Sequence, residues 1–196
     1  MATPFPPAMS EQEVLDIFRR TGALLEGHFI LRSGLHSRLY FQCALALQDM
    51  PTVEKLGRAL ADKVRWLEPA TVISPAMGGL VIGQEVARQL ATRFIFAEKD
   101  EGKLALRRGF KLSQDEPVLV VEDVVTKGGR VAETIGIVRA HGSRLVGVAM
   151  IVDRSDGTVQ FGVPTYSLVK MNVETFPPDN LPPDLAAIPA VKPGSK

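Results

Sequence analysis

Residues 118–130 read VLVVEDVVTKGGR. Four apolar residues, three of them β-branched, lead straight into two adjacent carboxylates, Glu122 and Asp123. Two more valines follow, then Thr126-Lys127-Gly128-Gly129-Arg130. An unbroken apolar run of this kind suits a strand buried on both faces, as in a parallel sheet covered by helices. Such a strand has no need of an acid pair at its end. The two glycines let the backbone turn tightly and bring bare N–H groups close to a ligand. A helix starting just beyond them would aim its positive end at the same place. Lys127, Arg130 and the Thr126 hydroxyl add donors, so the loop suits a phosphate. Carboxylates repel phosphate, but they suit sugar hydroxyls or a hydrated Mg²⁺. An acid pair followed by an anion nest therefore points to a phosphorylated sugar. The plainer alternative is an ordinary strand-to-helix turn with acids near the helix start. The spacing excludes a G-x-x-x-x-G-K-[ST] loop and a G-x-G-x-x-G dinucleotide loop.

The flanking sequence repeats the pattern. TVIS (71–74), RFIFA (93–97) and RLVGVAMIVD (144–153) are further apolar runs. Between them, residues 80–91 and 131–141 have helical character, the second closed by Gly142. Val53, Leu56, Leu60, Val64 and Leu67 recur at helical spacing over 52–67, and Ser10 with Glu13 makes a capping box for a helix over 10–20. The order strand-helix-strand-strand-helix-strand predicts an α/β fold, with a central parallel sheet flanked by helices in Rossmann-like fashion. Ligands bind such sheets outside the carboxyl ends of the strands, where residues 122–130 fall. Phe29/Leu31 and Leu39/Phe41 alternate about Ser33-Gly34, which predicts two short strands in a small hood over the strand ends. A polar stretch from Glu98 to Pro117 separates two of the strands. The proline-rich ends read as irregular or mobile.

The 196 residues suit one domain: a hood mainly at 22–45, a core over about 52–173 and a proline-rich tail at 177–196. Hydrophobic residues make up 45% of the chain, enough for a sizeable core. Basic and acidic residues number 23 and 22, which leaves no electrostatic footprint for nucleic acid or a membrane surface. The single cysteine, Cys43, excludes an intrachain disulfide and suits a reducing cytoplasm. The first residues lack the basic and apolar regions of a signal peptide, and no apolar run is long enough to span a membrane.

VLVVEDVVTKGGRVAE resembles the phosphoribosyl-diphosphate (PRPP) signature of type I phosphoribosyltransferases: an apolar strand, two acids, two apolar residues, Thr and a glycine-bearing loop. GALLEGHFILRSGLHSRLYFQ (22–42) resembles the hood of the orotate-using branch, with F-x-L-x-S-G followed by Ser and an aromatic-Phe pair. VAMIVDRSDG (148–157) places an arginine after a strand-end aspartate, as in that branch. The resemblance runs from about Ser10 to Val173. It implies transfer of the phosphoribosyl group of PRPP to orotate, giving orotidine 5′-monophosphate and pyrophosphate in UMP biosynthesis. It also implies Mg²⁺ carried by PRPP and not ligated directly by side chains, and a cytoplasmic homodimer.

By the same resemblance, PRPP is bound by Glu122, Asp123, Val124, Val125, Thr126, Lys127, Gly128, Gly129 and Arg130. The acids face the ribose 2′- and 3′-hydroxyls, and residues 125–130 hold the 5′-phosphate. Orotate is bound by Thr126, Arg154, Tyr40, Phe41 and Arg32. The catalytic set is Asp123, Glu122, Lys99 and Lys103. Two departures mark a divergent branch. Gly78 stands where many members carry a lysine near pyrophosphate, and the mobile catalytic loop reads AEKDEGKLALRRGFKL. In that loop Lys99 aligns, and Lys103, Arg107 and Arg108 supply the other cations. Two alternatives are a phosphoribosyltransferase for a purine or other base and a non-catalytic PRPP-binding regulator. The hood and Arg154 speak against the first. The near-zero charge and the short segment before the hood speak against the second.

Overall fold

Helix α1 (Glu11–Arg20) begins at the capping box the sequence suggests: Ser10 N–H donates to Glu13 Oε2 at 2.7 Å, and Glu13 N–H to Ser10 Oγ at 3.3 Å. The computed structural model describes residues 9–31 and 33–193. Strands β1 (Leu24–Ile30) and β2 (His36–Phe41) pair antiparallel, with Leu25 opposite Tyr40. A short helix α2 (Cys43–Leu47) leads into α3 (Met50–Val64), whose first turn is capped by Asp49 accepting from Thr52 N–H at 3.0 Å. The helix expected over 52–67 stops at Val64. Residues Arg65–Leu67 tighten into a 3₁₀ turn, and Glu68 reverses the chain at φ +48°.

The core alternates as expected: β3 (Thr71–Pro75), α4 (Gly79–Leu90), β4 (Arg93–Asp100), β5 (Lys103–Leu106), β6 (Pro117–Val125), α5 (Gly129–Ala140), β7 (Arg144–Asp153) and β8 (Thr165–Lys170). The sheet order is β5-β4-β3-β6-β7-β8. Four pairs are parallel, and β4–β5 is an antiparallel hairpin. Along β6 the side chains alternate. Leu119 and Val121 join Phe18, Leu56, Leu60 and Ile82 on the face covered by α1, α3 and α4. Val118 and Val120 join Val131, Ile135 and Val138 of α5 on the other face. Both faces of β6 are dry, which explains why its sequence is a continuous apolar run.

Three features depart from the sequence reading. Part of the stretch expected as a polar connection is the β4–β5 hairpin, turning at Glu101 (φ +48°) and Gly102 (φ +89°), the two positive-φ residues of a tight hairpin turn. The edge strand β8 follows a Gly-Val-Pro segment that hides it. Of the proline-rich ends read as irregular or mobile, the first lies outside the described residues, and the tail is tied down over its described part. Residues Thr175–Phe176 form β9 beside β2, helix α6 (Pro183–Ala186) buries Leu185, and Val191 exchanges backbone hydrogen bonds with His28 and Ile30.

Helix α4 lies flush on the sheet because Gly83 has no side chain. A Cβ there would land on the Ser74 hydroxyl and 2.9 Å from the Phe94 ring. Gly83→Val should therefore cost about 1–3 kcal/mol of overpacking, a fall in Tm of roughly 2–12 °C by circular dichroism. An unchanged Tm would show that α4 has room to retreat.

Candidate active site

The chain leaves β3 for β4 on one side and later returns as β6 on the other. This reversal opens a crevice at the carboxyl ends of β3 and β6, where open α/β sheets bind ligands. Two loops line it: residues 76–78 after β3 and 126–128 after β6. They approach as closely as glycine permits. A Cβ on Gly78 would lie 2.7 Å from Asp123 Oδ1, and one on Gly79 would lie 2.9 Å from the Val121 carbonyl and 3.0 Å from Glu122 Oε1. Any side chain at position 78, a lysine included, would have to displace Asp123.

Glu122 is buried and Asp123 half-buried. Asp123 N–H donates to Glu122 Oε1 at 3.0 Å, and Val124 N–H to Asp123 Oδ1 at 2.8 Å. Burial, then the neighbouring Asp123 charge, pushes the Glu122 carboxyl well above the usual carboxylate range. One acid of the pair is thereby suited to donate and the other to accept, as a vicinal diol requires.

Beyond the acids, Gly128 takes a left-handed conformation, φ +71°, and caps α5. A Cβ there would meet Val159 Cγ1 at 2.7 Å, so the position is glycine for two reasons. Among the described residues, the N–H groups of Thr126, Lys127 and Gly128 meet no protein acceptor, and they adjoin the open first turn of α5. The arrangement is an anion nest. Lys127 and Arg130 are exposed beside it, but Arg130 is ion-paired to Glu133 at 3.3 Å.

On the far side, Arg154 leaves the end of β7, its N–H bonded to the Val125 carbonyl at 2.8 Å. Its guanidinium carbon stands 5.3 Å over the Phe41 ring. Its buried Nε has no hydrogen-bond partner among the described residues, and burial lowers its affinity for its proton. Tyr40 donates its hydroxyl to Gln42 Oε1 at 3.1 Å. Cys43 is buried close by, its thiol held protonated by desolvation and then by the Asp123 charge. The structure thus gathers Glu122, Asp123, the 124–130 loop, Arg154, Tyr40 and Phe41 around one crevice. Arg32 lies outside the described residues.

Lys99 and Lys103 sit on the β4–β5 hairpin, opposite Leu104 and Asp100, and both are exposed. Arg107 and Arg108 are ion-paired with Asp100 at 3.4 Å and Glu98 at 2.8 Å. Leu104 N–H donates to Glu133 Oε2 at 3.2 Å, so Glu133 joins the hairpin to Arg130. Sequence reasoning passed over Glu133. Its signal was the spacing of three residues from Arg130, which places the two on one helix face.

Residues 44–178 match the phosphoribosyl transferase domain family. Over 188 residues, 96% of this chain and 98% of the relative, the sequence is 50% identical to the orotate phosphoribosyltransferase of Desulforamulus reducens. It is 48% identical over 186 residues to that of Carboxydothermus hydrogenoformans, covering 94% of this chain and 97% of the relative. The fold is similar to the orotate phosphoribosyltransferase of Aeropyrum pernix, with a TM-score of 0.65 and 26% identity, covering 81% of this chain and 93% of that one.

The acid pair has a thermodynamic signature. Above its ordinary value of 4.5, the unfolded Glu122 carboxyl is ionised while the folded one keeps its proton. The folded state then binds more protons, so this group's contribution to stability falls as pH rises through that window. Glu122→Gln, neutral and of the same shape, should abolish this contribution. The Tm of the ligand-free variant, relative to the parent, should increase between pH 5 and pH 9. A constant difference across that range would mean that Glu122 is ionised in the folded protein.

Proposed function

Because the chain belongs to the orotate phosphoribosyltransferases of the phosphoribosyl transferase family, we propose that its crevice transfers the phosphoribosyl group of PRPP to orotate. The products are orotidine 5′-monophosphate and pyrophosphate, in UMP synthesis. The observation that carries the reading is the position of Arg154 at the end of β7, with a desolvated, partnerless Nε and a guanidinium carbon 5.3 Å over the Phe41 ring. A planar, carboxylate-bearing base matches a cation and an aromatic face together. A phosphoribosyltransferase for an uncharged base would keep the acid pair and the loop but would have no need of Arg154 there.

Glu122 and Asp123 hold the ribose diol, and the 5′-phosphate lies on the Thr126, Lys127 and Gly128 amides at the α5 N-terminus. Held at both ends, the ribose presents C1 toward the base. Orotate N1 attacks C1 as the C1–O bond to pyrophosphate breaks, through a transition state with oxocarbenium character. No residue acts as a nucleophile. The Asp123 carboxylate lies near the developing positive charge, while Lys99 and Lys103 approach the leaving group from the hairpin. Mg²⁺ would arrive carried by the diphosphate of PRPP, with no direct side-chain ligand. When bound, Mg²⁺ neutralises the leaving pyrophosphate. The active form is a cytoplasmic homodimer. Among the described residues no helix is long and apolar enough to cross a membrane.

The reaction is followed by loss of orotate absorbance in the presence of PRPP and Mg²⁺, with adenine, hypoxanthine, xanthine and uracil as controls. Turnover of one of these bases and not of orotate would overturn the substrate assignment. Asp123→Asn should lower kcat/KM by about 10²-fold or more, and near-parental turnover would remove it from the catalytic set. Arg154→Ala should raise the orotate KM about 10–100-fold and leave the PRPP KM nearly unchanged. Equal effects on both would place Arg154 outside the base pocket.

A further inference from the structure

The base pocket is built from two parts that are far apart in the chain: Arg154 at the end of β7, and Tyr40 and Phe41 on β2 of the hood. Chain segment 171–193 touches both. Met171 N–H donates to the Asp153 carbonyl at 2.9 Å, and Asn172 Nδ2 donates to Asp156 Oδ2 at 3.0 Å, so the root of the segment grips the loop that carries Arg154. Four residues on, β9 pairs with β2, Thr175 opposite Ser37, and the Ser37 hydroxyl donates to the Glu174 carbonyl at 3.2 Å. The segment then crosses the hood and is held again where His28 Nδ1 donates to the Ile188 carbonyl at 2.7 Å.

One side chain gathers these contacts. Arg38 lies two residues before Tyr40 and on the same face of β2. It grips Asp184 with a two-pronged bond, Nε to Oδ2 at 3.0 Å and Nη2 to Oδ1 at 2.9 Å. Its third nitrogen donates to Glu174 Oε2 at 3.2 Å, and its guanidinium carbon stands 4.8 Å over the Phe176 ring. The fork holds the Asp184 carboxyl below its usual range.

We propose that Arg38 is a positioning residue for the orotate half of the reaction: by clasping the C-terminal strap to β2, it sets the spacing between Tyr40-Phe41 and Arg154. The proposal rests on the base pocket described under Proposed function. Its physical basis is that β1 and β2 form a two-stranded hairpin that is seated on the core through Leu24 and Phe41 and has only β9 along the other edge of β2. A third strand anchored to the Arg154 loop converts it into a wall of defined position. Without the clasp, orotate must order the hood as it binds, and that cost appears in its apparent affinity. PRPP sits on β6 and α5, which the strap does not hold.

Steady-state kinetics of Arg38→Met and Arg38→Lys test this. Arg38→Met should raise the orotate KM about tenfold, with kcat and the PRPP KM within about twofold. Arg38→Lys keeps the charge but not the fork, and should fall between Met and the parent. A staple separates positioning from direct contact with substrate. Ser37→Cys with Thr175→Cys, placed opposite one another in β2 and β9, should restore the orotate KM of Arg38→Met when oxidised and lose that effect on reduction. A parental orotate KM in Arg38→Met overturns the proposal, as do equal rises in both KM values or a defect that the oxidised staple leaves in place. If the parent turns over orotate and Arg154→Ala raises only the orotate KM, such results refute the clasp alone. If the parent does not use orotate, the base pocket itself is refuted.

Discussion

Two backbones meet at the carboxyl ends of β3 and β6 with no side chain between them. Gly78 and Gly79 face Asp123, Glu122 and the Val121 carbonyl at distances that leave no room for a single added carbon. This contact lets the acid pair sit inside the crevice and keeps Glu122 dry enough to hold a proton. It also brings two loops of different chemistry to one crevice. The sheet order makes it possible, because only at the reversal between β3 and β6 do two neighbouring loops leave the sheet in diverging directions. The glycines at 83 and 128 extend the same economy, one seating α4 on the sheet and the other folding the phosphate loop against Val159 and Phe161.

Much of this was legible in residues 118–130, where local requirements coincide. A strand buried on both faces must be continuously apolar, a left-handed cap favours glycine, and two adjacent acids at a dry strand end are too costly to stand without a partner. The elements that were not legible owe their form to distant partners. KLAL is too short to signal a strand, and β5 exists because β4 runs far enough to turn back on itself. The tail's prolines read as irregular or mobile, yet a strap that pairs over only two residues and is otherwise held by side chains and a few backbone bonds has few N–H groups to satisfy. Lys127 and Arg130 read alike in sequence. In the fold they differ, since Arg130 is directed to Glu133.

The cations of the hairpin divide in the same way. Arg107 and Arg108 look like candidates for an anionic leaving group, but each is bound to an acid on the neighbouring strand, and Arg108 also covers the Phe96 ring. They stiffen the hairpin. The two lysines project from it, on long flexible stems suited to a group that must arrive and depart. With Glu133 holding the Leu104 amide, the hairpin is tied to the helix whose first turn forms the phosphate nest. The hairpin and the first turn of α5 thus share one carboxylate.

The closeness of Gly78 to Asp123 also bears on how such a site can change. A side chain at 78 would meet the Asp123 carboxylate at its first carbon, so a substitution there is admitted only if that carboxylate or the turn after β3 shifts. A change at 78 is therefore felt first at Asp123, before any effect of the new side chain itself.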